Sequence, residues 1–169
     1  FLIISTISDA FKKPKINFAR IISHFSFGFL IFFIGLNHNF SIEKDFNLKL
    51  GETKKIDNYN FELKDLKLQQ YDNYKAVIGI IQISDLSTNK KRTLNPEIRI
   101  YDNPQTLTYE ASIKTNFFRD YYLTMSNIDR SDYYNIKFQE KPLMIWIWIS
   151  VVMLSFGGFL SFIRNAKNN

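Results

Sequence analysis

The sequence predicts a membrane protein in which two transmembrane α-helices bracket an all-β domain, a small barrel or sandwich, outside the cytoplasm. Three observations predict it. Two long apolar blocks, 18–36 and 143–162, stand apart from a polar middle; the hydrophobic fraction is 46% while the mean hydropathy is only −0.17. The middle changes period from helical to alternating. Its basic and acidic residues nearly balance, so five of the six net positive charges sit at the ends.

The stretch 1–8 reads as the tail of a further span, and the chain does not begin with Met, which points to truncation of an upstream helix over 1–9. No small-residue cleavage site follows, so a signal peptide is not expected. A basic cytoplasmic loop is expected over 10–17, with Lys12, Lys13 and Lys15.

The first span is expected over 18–37. At 1.5 Å per residue such a block crosses a hydrocarbon core of roughly 30 Å. Arg20 lies near one end, which leaves His24 as the ionisable residue well inside. Gly28 and Gly35 fall within about 40° of His24 around a helix. That face is shaped for close approach. Ser23 and Ser26 lie on other faces and can bond back to carbonyls.

The extracytoplasmic domain is expected over 38–141. Alternation at Phe46, Leu48 and Leu50 ends in a Gly51-Glu52 turn, and Tyr59, Phe61 and Leu63 alternate after Asp57-Asn58. A β-branched run over 76–83 reads as a central strand, 87–90 as a turn, and 97–101 as a strand closed by Asp102-Asn103-Pro104. Further strands are expected over 107–113, 120–125 and 134–138. Six or seven short strands at this spacing suit a barrel or a sandwich, and the sequence leaves that choice open.

The second span is expected over 142–163, with Pro142 in its first turn. Trp146 and Trp148 suit the membrane interface. Gly157-Gly158 is a second site of close approach, and a cytoplasmic tail with Arg164 and Lys167 follows over 164–169.

Charge fixes the orientation. Residues 40–141 carry 16 Lys/Arg against 15 Asp/Glu, whereas the rest of the chain carries six basic residues and one acid. The excess flanks the spans on one side, which the positive-inside rule assigns to the cytoplasm. Basicity so placed argues for membrane lipid and against a nucleic-acid partner. The chain has no Cys, which excludes disulfides, cysteine-ligated zinc and thiol chemistry within it.

His24 has two readings. An intramembrane ionisable group is a functional hypothesis by default, here a haem-iron or metal ligand. The other reading is a histidine hydrogen-bonded to a neighbouring helix, and the residue alone favours that one. His38, about a turn beyond the apolar block, reads as interfacial. Glu43-Lys44-Asp45 and Arg119-Asp120 read as strand caps or wet faces. The abundant Tyr and Phe, from Tyr71 to Tyr122, read as β core and rim. No phosphate loop, zinc spacing or nucleophile elbow is present.

In order along the chain, His24-Phe25-Ser26-Phe27-Gly28, 41–45, Leu48-Lys49-Leu50-Gly51-Glu52, Asn73-Tyr74, Pro96-Glu97-Ile98-Arg99-Ile100-Tyr101, Thr108-Tyr109-Glu110-Ala111 and Arg119-Asp120-Tyr121-Tyr122 with Thr115 stand together with Lys141-Pro142, Trp146-Ile147-Trp148 and Gly157-Gly158. This series resembles the C-terminal part of the CcmF family, the haem lyase subunit of system I cytochrome c maturation, from about residue 21 to 162. The resemblance implies a component of the complex that attaches haem to apocytochrome c. It implies a haem b held in the membrane by two histidines on different spans, with His24 as one iron ligand. It also implies a haem chaperone, apocytochrome c and other maturation subunits as partners, in a bacterial or mitochondrial inner membrane. The family's remaining haem-handling residues would lie upstream, so this fragment alone is not expected to be catalytic. His38 inherits no role. The runner-up is a non-enzymatic assembly factor whose outer β-domain docks partner proteins.

Overall fold

A computed structural model describes residues 18–128 and 131–168, so the expected upstream helix and basic loop over 1–17 lie outside the described residues. The chain divides into a helical unit, which includes Phe117–Arg119, and a β unit.

The helical unit is a pair, α1 (Phe18–Phe40) and α2 (Met144–Asn168). Its 23-residue first helix is about 34 Å long. Both helices are long and apolar enough to cross a membrane. Large apolar side chains point outward all round the pair, among them Phe27, Ile31, Phe32, Val152, Phe156 and Phe159. A water-soluble helix pair would bury them, whereas lipid solvates them without cost.

Small residues set the helix contact. Ala19, Ser26 and Phe33 of α1 recur every seven residues and are buried. On α2, Ser150 is buried and Gly157 abuts Ser23 and Ile22. Ser26 and Ser150 each donate a hydroxyl to the carbonyl four residues back, Ile22 and Trp146, so neither leaves a polar group unsatisfied in the contact. Trp146 stacks on Phe33 at 5.5 Å and meets Phe117 edge-on at 4.9 Å. Trp146 therefore packs within the helical unit, and Trp148 is the exposed member of the pair.

Pro142 does not start the second helix, contrary to expectation. It ends the last strand; Leu143, at φ 60°, turns the chain, and its carbonyl accepts from the Trp146 amide. Proline's ring fixes φ near −65°, so the reversal falls on the residue after it. Asn37 closes the other end of the contact, its side-chain amide donating to the Pro142 carbonyl at 2.6 Å.

The β unit is a sandwich. Ten strands among the described residues form two sheets: β1 (Ile42–Lys49), β10 (Tyr133–Pro142), β9 (Arg119–Asn127) and β8 (Ser112–Thr115) in that order, and β2 (Thr53–Ile56), β3 (Tyr59–Gln70), β4 (Tyr74–Asp85), β6 (Glu97–Asp102) and β7 (Gln105–Glu110), with β5 (Lys91–Leu94) also on β4. Alternating residues from both inner faces make one core: Phe46 and Leu48, Phe61 and Leu63, Ile81 and Ile83, Leu123 and Met125, Ile136 and Phe138. Phe61 meets Phe138 edge-on at 5.0 Å across the sheets. A Cβ at Gly79 would stand 2.7 Å from the Met125 sulfur, so glycine makes room for that side chain.

The chain changes sheet at two corners. Gly51, at φ +77°, turns β1 into β2. Ala111 separates β7 from β8, so the single strand expected over 107–113 is two strands in different sheets. The strand count exceeds the expected six or seven for a related reason. β2 and β5 are four-residue strands carrying two cations each, with no apolar alternation to mark them.

Candidate functional site

His24 sits on α1 roughly 140–180° around the axis from the stripe of Ala19, Ser26 and Phe33 that packs on α2, counting 100° per residue. It is exposed. Gly28 and Gly35 share its side, Gly28 buried and Gly35 with nothing within 4 Å of the point a Cβ would occupy. The helix therefore has two distinct small-residue faces. One packs on α2; the other carries the exposed His24 imidazole, with Gly28 buried and Gly35 open. A phenylalanine ladder, Phe25–Phe29–Phe33, runs along the helix into the α2-facing stripe, with ring centroids 4.4 and 5.3 Å apart.

That arrangement fits a planar metal macrocycle on the donor side. A neutral imidazole is a common iron ligand, and Gly35 on the same side has open space beside it. His38 cannot complete an axial pair with it: fourteen residues along one helix is about 21 Å. Among the described residues no group of three or more His, Asp or Glu is placed to hold a metal ion.

The β unit carries ionisable side chains that alternation alone did not single out. Tyr59 donates its hydroxyl to the buried Glu140 carboxylate, and burial first, then that hydrogen bond, pushes the phenol well above its usual range. At the β4–β5 turn, Asp85 accepts from the Ser87 and Thr88 hydroxyls at 2.6 and 2.7 Å and from their amides. Burial opposes ionisation there, but those four donors outweigh it and hold the carboxyl at about 2. Arg119-Asp120 stands at the start of β9, one of the two places expected, but Asp120 is buried, 6% exposed, and not on a wet face. Burial raises its carboxyl, with hydrogen bonds from Tyr122 and Thr115 pulling the other way, and among the described residues Oδ1 has no hydrogen-bond partner. Glu43-Lys44-Asp45 is the wet face expected: Lys44 pairs with Asp57 at 2.7 Å, and Glu43 with Lys137.

Two segments that the sequence keeps apart meet across β4 and β6. Tyr74 lies opposite Tyr101 and Ala76 opposite Arg99. Tyr71 stacks on Tyr74 at 4.5 Å, and the Arg99 guanidinium lies 5.0 Å over the Tyr74 ring while bonding Glu97 at 2.8 Å. No apolar period predicts such a cluster, because its residues alternate with the core-facing ones.

Comparisons with known proteins agree on one family. The family model described as CcmF C-terminal beta-sandwich matches residues 39–142, which takes in the β unit and leaves His24 outside. The cytochrome c-type biogenesis protein CcmF of Haemophilus influenzae is 26% identical over 149 residues, 88% of this chain and 23% of the relative. That of Escherichia coli is 27% identical over 155 residues, 91% and 24% of the two. A solved structure of the cytochrome c heme lyase CcmF superposes with a TM-score of 0.64 at 14% identity, over 91% of this chain and 27% of that one. The chain thus spans about a quarter of the length of these proteins.

Proposed function

Because the chain belongs to the CcmF family, whose C-terminal beta-sandwich it carries, we propose that it serves cytochrome c biogenesis as part of a membrane haem lyase, with His24 an axial ligand to the iron of an intramembrane haem b. The position of His24 supports the ligand role: it is an exposed imidazole within an apolar helix, on the side turned away from α2. A bound haem would supply one-electron chemistry. The residues of this chain would hold and orient it, His24 by its imidazole nitrogen and Gly35 by leaving room.

In this reading both helices span the inner membrane, with segments 10–17 and 164–169 on the cytoplasmic side and the sandwich over 38–141 outside the cytoplasm. The haem chaperone, apocytochrome c and other maturation subunits work from that outer side.

The test is cytochrome c maturation in cells carrying the full-length protein, read as covalent haem in c-type cytochromes. His24→Ala is expected to reduce it at least tenfold with protein levels unchanged. Maturation at the wild-type level in His24→Ala and His24→Gln would instead favour an assembly factor in which His24 only packs between helices.

A further inference from the structure

Sheet edges invite pairing with other chains, and proteins blunt them with cations, short strands or covering segments. Four of this sandwich's edges follow that rule. β2 has four residues including Lys54 and Lys55, and β5 four including Lys91 and Arg92. β8 has four with Lys114, and β1 carries Glu43, Lys44, Asp45 and Lys49. β7 does not. Its six residues, Gln105-Thr106-Leu107-Thr108-Tyr109-Glu110, contain no Lys, Arg or Pro. It pairs with β6 without a register shift and ends the six-stranded sheet.

The two faces of β7 differ. Leu107 and Tyr109 lie beside Ile100 on one face and are 44%, 45% and 36% exposed, a run of apolar surface at a sheet margin. Thr106, Thr108 and Glu110 share the other. There Glu110 lies directly opposite Glu97, a like-charge cross-strand pair, which is unfavourable. Arg99 engages Glu97, while among the described residues Glu110 has only the Thr108 hydroxyl, at 3.2 Å. Among the described residues the edge therefore offers backbone groups without a strand partner, apolar side chains on one face and a carboxylate without an ion pair on the other.

We propose that β7 is a docking edge that takes an extended segment of a partner protein as an added strand, with a lysine or arginine of that segment set against Glu110. Main-chain hydrogen bonds to the edge give affinity, and side chains at alternate positions give selectivity. A second copy of this chain is the poorer occupant: antiparallel self-pairing of β7 centred on Thr108 sets Glu110 against Thr106 and brings no cation. Lipid offers nothing to the open amides. The proposal does not depend on the role of His24.

The experiment uses full-length protein in detergent and three capped eight-residue peptides of alternating Val and Thr. One has Lys at the position facing Glu110, one has Glu there, and one is the Lys peptide with N-methyl groups on alternate amides. Binding is read by fluorescence anisotropy and amide hydrogen exchange. The Lys peptide is expected to bind at least tenfold more tightly than the Glu peptide, to slow exchange over 105–110, and to lose both effects when N-methylated. Glu110→Lys should reverse the preference and Glu110→Gln abolish it; both change an edge side chain outside the core. Equal binding of the Lys and Glu peptides, or binding without slowed exchange over 105–110, overturns the proposal. So does slowed exchange without peptide that disappears on dilution, which identifies a second copy as the occupant.

Discussion

Gly157 of α2 passes so close to Ser23 of α1 that a Cβ on it would stand 2.9 Å from the Ser23 backbone nitrogen and nearer still to its hydroxyl. Gly158, its neighbour, has nothing within 4 Å. The two glycines therefore separate under substitution. Gly157→Ala should destabilise the helix pair by about 1–3 kcal/mol, because backbone rather than a flexible side chain must give way. Gly158→Ala should be neutral. Thermal denaturation of the detergent-purified protein measures both, and equal effects at the two positions would contradict this packing.

Tyr59 and Glu140 join β3 to β10 inside the sandwich. Tyr59→Phe removes a donor from a buried carboxylate while keeping the ring against Phe61 and Phe138. The expected loss is about 1–3 kcal/mol in chemical denaturation at neutral pH. Phe138→Ala, which empties the centre of the core, should cost more, about 3–5 kcal/mol.

Asp85 makes the domain acid-sensitive in a defined window. Its carboxyl is held at about 2 in the fold, below its ordinary 3.8. A lowered carboxyl stabilises the fold above the ordinary value, and that stability is lost as pH falls through about 4 toward 2. The Ser87→Ala, Thr88→Ala double variant should be less stable than the parent by about 2 kcal/mol at pH 7. The gap should narrow below pH 4. A gap independent of pH would show that the hydroxyls act without the charge.

Asp120 acts with the opposite sign. Burial raises its carboxyl, so its contribution is fully present below the ordinary carboxylate value and is lost as pH rises through the raised one. Asp120→Asn removes the charge and should be at least as stable as the parent at pH 7. Near pH 3 that advantage should vanish. Urea titrations at the two pH values compare them directly, and marked destabilisation at pH 7 would mean the ionised form is favoured.

Much of this fold is legible in the residues because its solvents differ. Lipid-facing helices need long apolar runs, and the 18–36 and 143–162 blocks supply them. The sandwich needs period-two alternation, and Phe46/Leu48, Tyr59/Phe61/Leu63 and Ile81/Ile83 supply that. What stayed hidden had no period to carry it. β2 and β5 are cationic four-residue edges, Ala111 turns a corner without Gly or Pro, and a turn at Leu143 precedes the helix expected to begin at Pro142. Asp120 looked like a surface charge because burial of a polar side chain depends on neighbours distant in sequence. His24 was visible as an intramembrane histidine, but its side of the helix emerged only once Ser23, Ser26 and Gly157 fixed where α2 packs.

The proposal that His24 binds haem iron from the side of α1 turned away from α2 is tested most directly by the visible spectrum of full-length protein. Wild-type protein purified in detergent should show the reduced-minus-oxidised bands of a low-spin b-type haem. His24→Ala should lose at least most of that signal, and added imidazole should restore part of it by filling the vacated axial position. Gly158→Ala, also in the membrane helices, should leave it intact. A His24→Ala spectrum with wild-type bands and wild-type haem content would contradict the account.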